Sequence, residues 1–246
     1  MEPIFRQTTT ITANQVDCFR RAKPSALLFL IQEAAGQHCI SLGTDWDTLN
    51  KKHLFWAVTR HRVQVTRLPM EGETITVETW PMPTTRVAYP RSVVAYDAAG
   101  KELFRAISLW VLIDTQSRAM VLPGRSGVVV DGTLTGTELA VPHSIMPTAL
   151  ENTTARTVGY SELDVNGHMN NTRYMDWVDD LLPSAYHKDH PVREFTVCYL
   201  SEALEGQSIR LDWQVLEGPC LQVDAHREQT SVCSGKDRIF AAQILF

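Results

Sequence analysis

Residues 24–43, PSALLFLIQEAAGQHCISLG, place Leu27, Leu30, Ile31, Ala34 and Ala35 at the i, i+3, i+4, i+7, i+8 spacing of a helix. Pro24 suits its first turn. Leu28 and Phe29 widen the apolar face, so most of the circumference is expected to be wrapped by other structure.

Beyond this helix the sequence takes on the period of a sheet. Val58 to Val65, Thr74 to Trp80, Ser92 to Tyr96 and Phe104 to Ile113 read as strands, separated by turn signals such as Met70-Glu-Gly-Glu and Asp97-Ala-Ala-Gly. Thr74-Ile-Thr-Val-Glu-Thr alternates as a strand with one wet face does, whereas Ile107 to Ile113 is almost continuously apolar and is expected to be central.

From Pro123 to Thr154 the composition shifts to Gly, Pro, Thr and Ser without periodicity, which marks a linker. Beyond it the plan recurs. A short strand is expected at Arg156 to Tyr160, then a polar loop, then a helix with Tyr174, Trp177, Val178, Leu181 and Leu182 on one face, ended by Pro183. Strands come next at Glu194 to Leu200, Ile209 to Val215, Leu221 to Glu228 and Ile239 to Phe246. Each half thus reads as strand, loop, buried helix and about four antiparallel strands, an α+β architecture repeated once. The expected domains are 1–140 and 150–246, joined by a linker at about 123–154. Laying Asp17 on Asp164 puts Phe19 opposite Asn166, Arg21 opposite His168 and Leu27 opposite Tyr174, so the two helices start in register.

Composition narrows the partners. With 246 residues and 44% apolar content the chain can bury a core, and a net charge of -5 argues against nucleic acid or an anionic membrane as the main partner. Cys18, Cys39, Cys198, Cys220 and Cys233 are odd in number with no CxxC pair, so neither a disulfide framework nor a zinc knuckle is suggested, and a reducing cytoplasm is the expected compartment. The N-terminus has no signal or transit character, and the longest apolar run, Ala26 to Ile31, is too short to cross a bilayer.

The chemistry-bearing stretch is Leu163-Asp-Val-Asn-Gly-His-Met-Asn-Asn-Thr-Arg-Tyr, with Asp164, Asn166 and His168 at alternate positions before an apolar helix. Alternate residues of extended backbone point the same way, which would gather a carboxylate, an amide and an imidazole on one side. A helix beginning near Asn170 would add backbone N–H groups of Met169 and Asn170 suited to polarising a carbonyl and holding an oxyanion. The competing reading is an ordinary turn and N-cap, because Asp and Asn are common in both.

The same stretch resembles the active-site segment of plant and bacterial acyl-acyl-carrier-protein thioesterases, in which an Asp-Val-Asn-x-His-x-Asn-Asn run precedes the helix and a later Tyr-x-x-Glu returns a carboxylate. That second element is Tyr199-Leu-Ser-Glu202, 34 residues after His168. Trp56-Ala-Val-Thr-Arg, Met70-Glu-Gly-Glu and Ala106-Ile-Ser-Leu-Trp-Val-Leu-Ile-Asp extend the likeness over most of the chain. The resemblance implies a double hotdog, each sheet wrapped around a long central helix, and hydrolysis of fatty acyl-carrier thioesters by Asp164, Asn166, His168 and Glu202, without cofactor or metal. Water activated by Glu202 or Asp164, and an acyl-enzyme formed on Asp164, are both open. Plant members commonly carry a Cys after the Glu; Ala203 stands here, which removes a cysteine mechanism at that position. The first half would supply the acyl pocket, with Leu27, Leu30, Ile31 and Ala34 helping to set chain length. The partner implied is an acidic acyl carrier protein, for which Arg20, Arg21, Lys23, Arg60 and Arg62 are candidate docking cations. A homodimer is left open. An acyl-CoA thioesterase, a hotdog dehydratase or hydratase, and a non-catalytic acyl-binding module are the competing classes.

Other candidates read as structural. Gly124-Arg-Ser-Gly lacks the spacing of a nucleophile elbow, so Ser126 is expected to be a linker residue. His187-Lys-Asp-His190 is expected in a solvated polar turn, and His38-Cys39 in the core.

Overall fold

The computed structural model describes residues 3–228 and 237–246, and Cys233 lies outside them. The chain divides into two compact units, Met1–Pro142 and His143–Phe246.

The first unit contains strands β1 (Phe5–Thr10), β2 (Leu54–Val65), β3 (Thr74–Pro81), β4 (Tyr89–Tyr96), β5 (Glu102–Asp114) and the short β6 (Met120–Val121), with helices α1 (Pro24–Ser41), α2 (Trp46–Asn50) and α3 (Pro123–Ser126). Its antiparallel sheet runs β1-β3-β4-β5-β2, with β6 pairing β5. The second unit contains β7 (Asn152–Thr157), β8 (Glu194–Tyr199), β9 (Ser208–Leu216), β10 (Cys220–Arg227) and β11 (Arg238–Leu245), with helices α4 (Arg173–Asp179) and α5 (Ser184–Asp189). Its order, β7-β9-β10-β11-β8, is the same path strand for strand.

Helix α1 buries Leu27, Leu28, Leu30, Ile31, Ala34, Ala35 and His38, and turns Phe29 and Ile40 to solvent. The helix is therefore sided, not wrapped all round, because 100° per residue carries Phe29 away from the stripe through Leu27 and Ile31. The sheet answers it with rows of directly paired residues such as Thr79, Val93, Ala106 and Val63, all fully buried. Burying each large aliphatic side chain in such a face contributes about 1.5–3 kcal/mol. In the second unit the row Tyr199, Phe240, Ala225 and Leu211 does the same for α4, whose Tyr174 ring packs on Phe240 at 4.8 Å and on Tyr199 at 5.5 Å.

Three local expectations change. The helix of the second unit is not long: α4 has 7 residues and α5 has 6, because Pro183 lacks an N–H and disfavours helical backbone at Leu182. The first strand of that unit is Asn152–Thr157, not Arg156 to Tyr160, and Tyr160–Glu162 is already a single 3-10 turn. It is an edge strand paired only with β9 and rich in Thr, so it lacks an apolar period to announce it. His187 and His190 sit not in an open turn but on and just after α5, with Tyr186 stacked on His190 at 4.2 Å. No described helix is long and apolar enough to cross a membrane.

Candidate active site

The loop before α4 is built on one carboxylate. Asp164 Oδ1 accepts the backbone N–H groups of Asn166 at 2.8 Å and His168 at 3.1 Å, while the Asp164 N–H donates to the His168 carbonyl at 2.7 Å and Gly167 N–H to the Asp164 carbonyl at 3.0 Å. Gly167 closes the turn at φ 74°, in the left-handed region that costs a side chain about 1–2 kcal/mol. The segment is thus a tight turn and not extended backbone, so alternation does not align its side chains. His168 is part-buried at the base, and Asn166 is exposed at the tip with Nδ2 3.4 Å from Asp164 Oδ2.

The first unit repeats this turn atom for atom. Asp17 Oδ1 accepts the N–H groups of Phe19 at 2.8 Å and Arg21 at 2.9 Å, Asp17 N–H donates to the Arg21 carbonyl at 2.8 Å, and Arg20 takes φ 66° where Gly167 stands. Ala22 N–H donates to Pro69 O as Met169 N–H donates to Ala203 O. The sequence register of Asp17 with Asp164 therefore holds in three dimensions, and it sets Leu68 opposite Glu202. Where the second unit has His168 beside Glu202, the first has Arg21 paired to Asp17 at 2.9 Å and Leu68 almost buried.

Glu202 arrives on the turn after β8. That turn is pinned to the loop by the bridge between His168 and Leu204, and Arg227 Nη2 donates to the Glu202 carbonyl at 2.8 Å. His168 Nε2 lies 3.4 Å from Glu202 Oε2, with the histidine side chain 17% exposed and the glutamate 48%. A partly shielded imidazole faces a carboxylate open to water. Asp164, His168 and Glu202 are thus brought together, with Asn166 at the rim.

The backbone donors assigned to Met169 and Asn170 must be corrected. Met169 N–H donates to Ala203 O at 2.9 Å, and Asn170 N–H donates to Glu162 O at 2.8 Å. Both are consumed in holding the loop, as the equivalent groups of Ala22 and Lys23 are in the first unit, so neither is left for an oxyanion. Glu162 braces the same loop, accepting Gly159 N–H at 2.8 Å and Trp177 Nε1–H at 2.6 Å.

Tyr174 was legible only as a core residue of α4. Its phenol is held neutral well above the usual tyrosine range, by burial first and then by the negative charges of Asp164 and Glu202, against a backbone hydrogen bond from Ala203. The phenol therefore feels the charge of both carboxylates. Tyr199, whose hydroxyl donates to the Asn171 carbonyl at 2.8 Å, is pushed up by burial as well. A hydroxyl below a loop has no linear signal; the i, i+3, i+4 stripe of α4 hid it among core residues.

Elsewhere, Leu27, Leu30, Ile31 and Ala34 line the buried side of α1. Two of the candidate docking cations are neutralised at home, Arg20 by Glu71 at 2.8 Å and Arg21 by Asp17, while Arg60 donates to the Pro142 carbonyl at 3.0 Å. Ser126 is held in α3 by the Tyr89 hydroxyl at 2.8 Å and the Pro123 carbonyl at 2.9 Å. His38 is buried, as expected. Among the described residues no group of His, Cys, Asp and Glu is arranged to hold a metal ion, and the four described cysteines are free.

Residues 2–122 match the family model of the acyl-ACP thioesterase N-terminal domain, and residues 147–239 that of the acyl-ACP thioesterase C-terminal domain. The chain is 28% identical over 214 residues to a chloroplastic dodecanoyl-[acyl-carrier-protein] hydrolase of Cinnamomum camphora, covering 81% of this chain and 56% of that protein. It is equally identical over 214 residues to a chloroplastic palmitoyl-acyl carrier protein thioesterase of Gossypium hirsutum, covering 81% and 52%. The chain spans a little over half the length of these curated relatives. Among solved structures, an acyl-ACP thioesterase from Bacteroides thetaiotaomicron superposes with a TM-score of 0.85 at 22% identity, over 99% of this chain and 97% of that one. The 12:0-ACP thioesterase from Umbellularia californica gives 0.82 at 25% identity, over 100% and 97%.

Proposed function

We propose, from the premise that this chain belongs to the acyl-ACP thioesterase family and has its double-hotdog fold, that it hydrolyses fatty acyl-carrier thioesters at the Asp164–His168–Glu202 site. The observation that carries the reading is the 3.4 Å approach of Glu202 Oε2 to His168 Nε2, made by two turns 34 residues apart and absent from the otherwise identical turn pair of the first unit.

Glu202 is the base. Its carboxylate is open enough to meet water, takes one water proton, and the oxygen so freed bonds to the thioester carbonyl carbon. The tetrahedral oxyanion collapses by breaking the C–S bond, and the departing thiolate is protonated from His168 or from solvent. With Met169 and Asn170 N–H groups engaged, carbonyl polarisation falls to side-chain donors, Asn166 Nδ2 and His168. Asp164 is a positioning residue: an oxygen already accepting two backbone N–H groups is a poor nucleophile, which favours activated water over an Asp164 acyl-enzyme.

Leu27, Leu30, Ile31 and Ala34 of the first unit stay candidates for setting the acyl chain length. The carrier is an acyl carrier protein, with Arg20, Arg21, Lys23, Arg60 and Arg62 as candidate docking cations. A role in fatty-acid biosynthesis in a reducing compartment such as the cytoplasm completes the reading, consistent with free thiols at Cys18, Cys39, Cys198 and Cys220.

Purified protein assayed on acyl-ACP substrates tests it. Glu202→Gln is expected to lower kcat about 10²–10⁴-fold, the range of general-base catalysis, with its melting temperature unchanged because the side chain is half exposed. A folded Glu202→Gln within threefold of wild type would remove Glu202 from the chemistry, and release of no thiol by wild type would remove the activity.

A further inference from the structure

The turn that carries Glu202 is made twice in the chain, and the two copies are tied by different arginines. In the first unit Met70 N–H donates to Glu73 Oε2 at 2.9 Å, and Arg67 Nη1 donates to the same oxygen at 2.9 Å and to the Leu68 carbonyl at 3.3 Å. In the second, Leu204 N–H donates to Gln207 Oε1 at 3.0 Å, Arg227 Nε to the same oxygen at 3.3 Å, and Arg227 Nη2 to the Glu202 carbonyl at 2.8 Å. With Leu68 opposite Glu202, Met70 falls opposite Leu204 and Glu73 opposite Gln207. Each turn is therefore held by one guanidinium and one side-chain oxygen at corresponding atoms. The guanidinium itself comes from elsewhere. Val77 pairs with Ala95 as Leu211 pairs with Ala225, which sets Asp97 opposite Arg227 and leaves Ser201 opposite Arg67.

The charges around the two arginines differ as well. Arg67 faces two carboxylates, Glu73 at 2.9 Å and Asp97 at 3.7 Å. Among the described residues Arg227 has no carboxylate in an ion pair with it; its acceptors are an amide and a backbone carbonyl. The Tyr174 phenol feels the Arg227 charge along with those of Asp164 and Glu202, so the cation and both carboxylates share one neighbourhood. Glu202 has little margin there. Its Oε2 stands 3.4 Å from His168 Nε2, beyond the range of about 2.7–3.2 Å that most hydrogen bonds occupy, and its side chain is half exposed. Where the carboxylate stands is therefore decided by the backbone that carries it.

We propose that Arg227 is a positioning residue for Glu202: by gripping the Glu202 carbonyl and, through Gln207, the Leu204 N–H, it fixes the turn on both sides of Ala203 so that the carboxylate meets His168 and water. This rests on the thioesterase reading above. The guanidinium acts on the backbone of the turn, not on the reacting atoms. Without it, the Met169 N–H still donates to Ala203 O at 2.9 Å and the bridge between His168 and Leu204 still stands, so the turn loosens but does not unfold. A displacement of about 1 Å in a reacting group lowers a rate by up to about a hundredfold. The loss belongs to kcat, because the group displaced is the base.

The experiment is a double-mutant cycle on acyl-ACP hydrolysis with wild type, Arg227→Met, Glu202→Gln and the pair, together with Arg227→Lys; the slow variants are followed in single turnover with enzyme in excess. Arg227→Met is expected to lower kcat about 10–100-fold with KM within about threefold of wild type. In the Glu202→Gln background the same change is expected to lower the rate less than about threefold, since no base is left to position. Arg227→Lys, which keeps a charged donor for the Glu202 carbonyl, should recover at least about threefold in kcat over Arg227→Met. An arginine that only braces the fold would lower the rate by the same factor in both backgrounds, so additive losses overturn the proposal. A folded Arg227→Met within about threefold of wild type, or one that raises KM and spares kcat, overturns it too. If Arg227→Met does not fold, Gln207→Met, which removes the acceptor shared by Arg227 and Leu204, goes through the same cycle under the same criterion; failure of both to fold assigns the pair to the scaffold and also overturns it. Wild type inactive on acyl-ACP, or Glu202→Gln as active as wild type, refutes the reading of the site itself, and either outcome is visible before Arg227 is touched.

Discussion

Replacing Asp17 and Asp164 singly by Ala tests whether the two turns are the same object. Each carboxylate accepts two backbone N–H groups, at 2.8 and 2.9 Å in the first unit and at 2.8 and 3.1 Å in the second. Hydrogen bonds to a charged partner are worth about 1.5–3 kcal/mol when buried. These turns are partly exposed, and water can replace a lost acceptor, so the pair together is worth about 1–2 kcal/mol per turn. Asp17→Ala also breaks the Arg21 ion pair, which adds less than about 1 kcal/mol at its exposure. At about 2–4 °C per kcal/mol for a chain of this size, each variant should melt about 2–8 °C below wild type. Thermal denaturation by circular dichroism measures this, and acyl-ACP hydrolysis is followed in parallel. Activity should part the two variants: Asp17→Ala stays within threefold of wild type, whereas Asp164→Ala falls at least about a hundredfold because His168 loses the anchor of its own N–H. If Asp164→Ala is destabilised and Asp17→Ala is not, the shared-turn account is wrong. An Asp17→Ala variant that is folded but inactive would equally refute the division of labour between the units.

Two more outcomes are expected, one from the site and one from the core. In a single turnover in ¹⁸O-water, label is expected only in the released fatty acid; label found in Asp164 by peptide mass spectrometry would replace activated water with a mixed anhydride on that residue. Burial alone holds the fully buried His61 down to about 3, and burial with the Arg91 charge holds His38 at about 4. Both folded values lie below the unfolded value of 6.5, so the folded state binds fewer protons, stability is complete above pH 6.5, and it is lost as pH falls towards 4 and 3. A tenfold change in proton affinity corresponds to about 1.4 kcal/mol, so each histidine should account for about 2 kcal/mol lost between about pH 7 and pH 5. His61→Gln should flatten the pH dependence of urea unfolding over that window, and an unchanged slope would dismiss His61 as its source.

Periodicity along the chain was enough to find α1, most strands and the duplication, since a 3.6-residue or two-residue repeat is a local consequence of which face is buried. Asp164, Asn166, His168 and Glu202 were also legible, but as residue types in a pattern and not as a geometry. The linear text misjudged the loop as extended. It also set β7, a polar edge strand, four residues late, and ran the second helix on to Pro183 where α4 ends at Asp179.

Amino-acid order alone determined two copies of one sheet-and-helix plan, and which copy kept the polar groups. Tertiary structure decided the rest. It spent the Met169 amide on the turn that delivers Glu202 and the Asn170 amide on Glu162, paired Arg20 with Glu71 of a separate turn, and buried Arg91 among neutral partners. The physical reason is common to all four: a hydrogen-bonding group is committed by whatever folding brings within about 3 Å of it, and that neighbour was in each case on another turn, strand or helix.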